Sequence, residues 1–129
     1  MFYATIGPDG TLCYSNGGHN APFLLKRDRV VRLEVGGTIL GMFEMASYDQ
    51  ETLSLDAGDT IIVFTDGVSE APSVSGEEYG EERMIAFLDA HRTSSPAELR
   101  DGLVASVREF TTGEPQGDDV TVLVVRYGA

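Results

Sequence analysis

The most constraining stretch of this chain is Thr60-Ile61-Ile62-Val63-Phe64, an apolar run with a β-branched bias, closed by Thr65-Asp66-Gly67. Its composition and lack of alternation predict a strand buried on both faces. A strand of that kind has to sit inside a sheet that is covered above and below. With 129 residues, 42% of them apolar, the chain has enough material for one such core.

The segments before this strand read as a β-meander. Phe2–Ile6 and Thr11–Ser15 flank the turn Gly7-Pro8-Asp9-Gly10, and Asn16-Gly17-Gly18-His19-Asn20 forms a second tight connection. Phe23–Leu25 and Val30–Leu33 flank a charged turn as a further hairpin. Gly36, Gly37 and Gly41 punctuate a loop holding Ile39, Leu40, Met42 and Phe43, and Tyr48–Leu55 reads as another strand. After the buried strand, a polar acidic stretch covers 68–82. One helix is predicted over about Glu81–Arg92, with Met84, Ile85 and Leu88 on one face. A second opens at Ser95-Pro96-Ala97-Glu98, where Ser95 suits the N-cap, Pro96 the first turn and Glu98 a capping box. Val120–Tyr127 returns as a final strand, read as buried and as the neighbour of 60–64. Strands and helices segregate, so the expected class is α+β with mostly antiparallel sheets.

Charge narrows the function. Acids outnumber bases 21 to 9, a formal net charge of −12, which argues against a general nucleic-acid binder or a ligand of anionic membranes. The single Cys13 fits a reducing compartment, and no secretory signal or apolar run of membrane-spanning length is seen, so a cytoplasmic location is expected. No Gly-Xaa-Ser-Xaa-Gly elbow, P-loop or His-Glu-Xaa-Xaa-His motif is present.

Asp66 ends the first buried strand, while Asp118 and Asp119 precede the last. If those strands are antiparallel neighbours, the three carboxylates meet at one sheet edge. They would repel one another unless a hard cation such as Mg²⁺, Mn²⁺ or Ca²⁺ sits among them. Gly67 would let the backbone approach such an ion. The plain alternative is that Asp66-Gly67 is a turn and Asp118-Asp119 a solvated strand entry. His19 likewise reads either as a ligand or acid–base group, or as a turn histidine bonded to backbone. Glu77, Glu78, Glu81 and Glu82 read as a solvated acidic face near a helix start.

Four segments in register make a resemblance specific. Asn16-Gly17-Gly18-His19-Asn20-Ala21-Pro22 resembles the Asn-Ala-Gly-His-Asn-Xaa-Pro hairpin of metal-dependent protein phosphatases, the PPM or protein phosphatase 2C-like family. Leu55-Asp56-Ala57-Gly58-Asp59 with Phe64-Thr65-Asp66-Gly67-Val68-Ser69-Glu70-Ala71 resembles its L-x-x-G-D … T-D-G-V-x-E-A segment. Tyr79-Gly80-Glu81-Glu82-Arg83 resembles F-G-x-x-R, and Gln116-Gly117-Asp118-Asp119-Val120-Thr121 the terminal D-D-I/V-T strand. The branch resembled is that of the SpoIIE and sigma-factor regulatory phosphatases.

The resemblance implies an α-β-β-α sandwich and hydrolysis of phosphoserine or phosphothreonine on a regulatory protein such as an anti-anti-sigma factor. Two Mn²⁺ or Mg²⁺ ions would activate water, with no covalent intermediate. It makes Asp66 and Asp118 metal ligands. Gly67, Asp119 and His19 become supporting residues, and Glu70, Glu77 and Glu78 face the substrate. The family's G-D-x-x-G-H-G motif, whose Asp bridges both ions, has no counterpart here. Residues 1–129 are therefore expected to be the C-terminal two-thirds of one domain, N-terminal part missing. The isolated chain is expected to be inactive and to pair its open sheet edges as a homodimer. The alternatives are a non-catalytic pseudophosphatase module in signalling and a Ca²⁺-stabilised β-domain. Retention of Asp66 and Asp118 favours the enzyme.

Overall fold

A computed structural model describes residues 1–37, 49–112 and 120–128. The expectations for Ile39, Leu40, Gly41, Met42, Phe43 and Tyr48 lie outside these residues, as do those for Gln116 to Asp119. The described residues form two four-stranded sheets and a helical layer.

In the first sheet, β1 (Phe2–Ile6) pairs antiparallel with β2 (Thr11–Gly17), Phe2 opposite Asn16. β2 is the hub. Its other edge is shared by β5 (Gly36–Gly37), parallel to it, and β6 (Glu51–Ser54), antiparallel to it. The sequence reading ended β2 at Ser15 and placed Gly36-Gly37 in a loop. Glycine allows the pairing, because a Cβ at Gly36 would run into the Asn16 backbone. In the second sheet, β3 (Phe23–Leu25), β4 (Val30–Arg32), β7 (Thr60–Phe64) and β8 (Val122–Arg126) lie in the order β4-β3-β7-β8, all antiparallel. The final strand does neighbour 60–64, with Phe64 opposite Val122.

Alternation along β7 builds two cores. Ile61 faces the first sheet and packs with Leu12, Tyr14, Leu24, Leu33 and Leu55. Ile62 and Phe64 face the helices and pack with Phe23, Val68, Met84, Leu88, Leu99 and Leu103. Burying such side chains contributes roughly 1.5–3 kcal/mol each. β7 is thus covered on both faces, as its composition predicts.

The final strand is not. Leu123 and Val125, opposite Val63 and Ile61, remain 56% and 38% exposed. Among the described residues β8 is an edge strand, and the first sheet does not reach over it. One helical layer of the expected α-β-β-α stack is formed by the described residues. On the outer face of the first sheet Tyr3 is exposed.

The helices are α1 (Asp66–Ser69), α2 (Gly80–Ala90) and α3 (Pro96–Phe110). The α3 capping box is formed: Ser95 Oγ accepts from Glu98 N and Glu98 Oε1 from Ser95 N, each at 3.1 Å. Those bonds hold the Glu98 carboxyl below its ordinary range. α2 stops at His91, whose Nδ1 donates to Phe87 O at 2.7 Å. α1 is a turn of helix that the sequence reading missed, since the Gly of Thr65-Asp66-Gly67 reads as a breaker.

Candidate metal centre

β7 ends at Phe64, and its ladder with β8 continues one residue further: Thr65 N donates to Thr121 O at 3.2 Å, and Thr121 N to Thr65 Oγ1 at 3.1 Å. The chain then turns into α1, where Glu70 N donates to Asp66 O at 2.8 Å. Gly67 and Val68 are buried while Asp66 is exposed. The strand thus delivers Asp66 to solvent at the end of the sheet, over a buried floor.

A third segment arrives by register. Phe23 lies opposite Ile62. Following the two chains outward brings Asn20 to the level of Thr65 and Asp66, and Asn20 Nδ2 donates to Asp66 Oδ1 at 2.6 Å. The loop holding Asn20 is itself anchored. Asn16 is 5% exposed; its Nδ2 donates to Leu33 O at 3.3 Å and its Oδ1 accepts from His19 N at 2.8 Å. His19 Nδ1 donates to Asn20 O at 2.7 Å.

Among the described residues Asp66 has no ion pair with Lys, Arg or His. A carboxylate with one oxygen engaged by a neutral donor keeps its full charge and an oxygen to offer, the donor type that hard divalent cations take. The described residues contain no cluster of three or more His, Cys, Asp or Glu side chains able to hold a metal. Asp118 and Asp119 lie outside the described residues.

The acidic stretch is partly neutralised. Arg83 Nη2 donates to Glu77 Oε1 at 2.8 Å, and Nη1 to Glu78 O and Tyr79 O at 2.9 and 3.0 Å. The Arg83 guanidinium also lies 4.4 Å from the centre of the Phe110 ring. Glu81 meets Arg32 at 3.1 Å. Glu77 thus pairs with Arg83 while its side chain stays 63% exposed on the same surface. Glu70 and Glu78 are exposed. The Tyr79-Gly80 pair explains itself: Tyr79 is buried with its hydroxyl 2.8 Å from Ser106 Oγ, and Gly80 reverses the chain at φ +78°.

Sequence reasoning named Asp66, Gly67 and His19, and the structure brings their segments together. It missed Asn20, whose signal was its place beside His19 in the hairpin motif. His19 bonds to the loop backbone and supports Asn20 rather than touching Asp66.

The chain is similar to known proteins in sequence and fold. The chain is 31% identical over 127 residues to protein IcfG of Synechocystis sp., covering 97% of the chain and 20% of that protein. It is 30% identical over 131 residues to the phosphoserine phosphatase RsbU of Bacillus subtilis, covering 98% of the chain and 38% of that protein. The solved phosphatase domain of SpoIIE from Bacillus subtilis superposes with a TM-score of 0.77 at 25% identity, over 100% of this chain and 58% of that one. A manganese-presoaked crystal of the same domain gives 0.75 at 27%, over 99% of this chain and 56% of that one. The chain thus spans well under two-thirds of each. The sequence profile described as stage II sporulation protein E (SpoIIE) matches residues 1–128. With that match and the shared fold, the chain belongs to the SpoIIE family of PP2C-like phosphatases.

Proposed function

We propose that residues 1–129 are the C-terminal two-thirds of one PP2C-type domain that hydrolyses phosphoserine or phosphothreonine on a regulatory protein of the anti-anti-sigma kind. The observation that carries this reading is convergence. Three of the motif segments, represented by Asn20, Thr65-Asp66 and Thr121, are joined by hydrogen bonds at one end of the second sheet. The phosphoserine phosphatase RsbU supports the substrate class, and the manganese-presoaked SpoIIE domain supports the metal.

In this reading Asp66 is a ligand of Mn²⁺ or Mg²⁺, with Asp118 as a second ligand from its place in the terminal motif. Two such ions, when bound, supply an activated water and offset phosphoryl charge. Gly67, Asp119 and His19 support the site. Glu70 and Glu78 are positioned on the exposed segment beside it, a surface for a protein substrate. The chain carries two of the three ligand aspartates and by itself is expected to bind metal weakly and to be inactive. Among the described residues no helix is long and apolar enough to cross a membrane. We place the activity in the cytoplasm.

The test is Mn²⁺-dependent release of phosphate from a phosphoserine protein by the parent protein that includes the upstream Gly-Asp motif, compared with its Asp66→Asn variant. Loss of turnover and of Mn²⁺ binding in that variant is the expected result; unchanged Mn²⁺ binding would sink the ligand assignment. Mn²⁺ binding without turnover, in a protein that also has the upstream Gly-Asp motif, would favour the non-catalytic interaction module. The exposed Leu123 and Val125 on edge strand β8 support association of two copies through this edge. Sedimentation at high concentration should show a dimer, and a clean monomer would refute it.

A further inference from the structure

We infer that Asn20 is a positioning residue for Asp66: it fixes the carboxylate through one oxygen and leaves the other to a divalent cation. The inference rests on the proposed metal role of Asp66. Its own support is local. The Asn20 Nδ2 to Asp66 Oδ1 bond is 2.6 Å long and joins residues 46 positions apart. An exposed carboxylate at a strand end would otherwise rotate about its two side-chain torsions and sample several orientations.

The donor is held as firmly as the acceptor. Asn16 ties the loop to Leu33 O and to His19 N. The His19 ring holds Asn20 O at 2.7 Å. Pro22 O accepts from Leu33 N at 2.8 Å, and Phe23 begins the strand paired with β7. The loop and the aspartate are thus carried by adjacent strands, and their separation is set by sheet register.

The chemistry of the donor matters too. A Lys or Arg here would pair with Asp66 and compete with a cation for it. The Asn amide donates without charge, so it orients the carboxylate and leaves its charge for the ion. Residues that orient ligands in this way typically change metal affinity by 10–100-fold when removed.

The experiment measures Mn²⁺ affinity of the protein by electron paramagnetic resonance of the free ion. Wild type is compared with Asn20→Ala, Asn20→Lys and Asp66→Asn, and each is also melted without metal. Asn20→Ala should weaken Mn²⁺ binding about tenfold, and Asn20→Lys more. The metal-free melting temperature of Asn20→Ala should shift by no more than about 3 °C. A second readout needs no metal. The side-chain amide signals of Asn20, displaced by the carboxylate acceptor, should move toward free-amide positions in Asp66→Ala. Unchanged amide signals, or wild-type Mn²⁺ affinity in Asn20→Ala while Asp66→Asn loses it, would overturn the role of Asn20 alone. Mn²⁺ binding that survives Asp66→Asn, or is absent from the wild type, would overturn the reading of the site and this inference with it.

Discussion

Two aspartates bracket strand β7, and the protein treats them in opposite ways. Asp59, just before it, is 4% exposed and closed in. Its carboxylate accepts from Lys26 Nζ at 2.5 Å and from Asp56 N at 2.8 Å, while Lys26 is itself mostly buried. Asp66, just after the strand, is exposed and, among the described residues, is held by one neutral amide at one oxygen. The residue type and the strand are the same; the partners differ. A carboxylate whose charge is matched by a buried lysine has no capacity left for an ion. One whose charge is left over is of little use to the fold and available for chemistry.

The largest expected effect separates the two by function. In the parent protein that includes the upstream Gly-Asp motif, Asp66→Asn should lower Mn²⁺-dependent turnover by at least about 100-fold, since metal-borne charge stabilisation amounts to several kcal/mol. Its urea unfolding should stay within about 0.5 kcal/mol of wild type. Asp59→Ala should do the reverse. Leaving the mostly buried Lys26 with only the Ser54 carbonyl and the longer 3.8 Å contact to Asp56 should cost about 3 kcal/mol in urea unfolding, with turnover per folded molecule preserved. An Asp59→Ala protein as stable as wild type would erase the contrast.

A smaller effect checks that local hydrogen bonds, not charge alone, govern stability. Ser95→Ala removes the α3 cap and should cost about 1 kcal/mol in the same assay, with no change in Mn²⁺ affinity.

The last effect is visible only at high pH. Tyr14 is 1% exposed and donates to Glu51 Oε1 at 2.5 Å. Burial first, then that bond to a carboxylate, pushes its hydroxyl up to about 12. The folded value lies above the unfolded one of about 10. Stability from the neutral hydroxyl is therefore full below about pH 10 and declines as pH approaches 12. Absorbance titration should show a late ionisation that Tyr14→Phe removes.

Much of this was legible in the chain. The run 60–64 predicted the central strand because β-branched apolar residues without alternation have no solvent face to offer. Ser95-Pro96-Ala97-Glu98 predicted a helix start because each residue satisfies a specific backbone need. Other parts were not legible. Val122–Arg126 has the composition of a buried strand, but its position at a sheet edge leaves Leu123 and Val125 exposed. Position in a sheet is a property of topology and leaves no mark on the strand itself. α1 was hidden because its glycine argues against helix, although the turn is only four residues long. Asn20 was hidden because its partner is distant in sequence. The register that joins them depends on β3 pairing with β7.

The β7–β8 pairing also sets the order of events when the chain folds. Thr65 meets Thr121 across 56 positions, and Arg126 Nε donates to Thr60 Oγ1 across 66. The hairpin β1–β2 and the pair β3–β4 close much shorter loops and can form early. During synthesis, β7 leaves the ribosome well before its last neighbour exists. Its edge stays open while both long helices are made. Asp66 and Asn20 can meet in that interval, but the Thr65–Thr121 side of the centre is built last. Substitutions that weaken β8 should therefore slow completion of this end of the sheet more than collapse of the core.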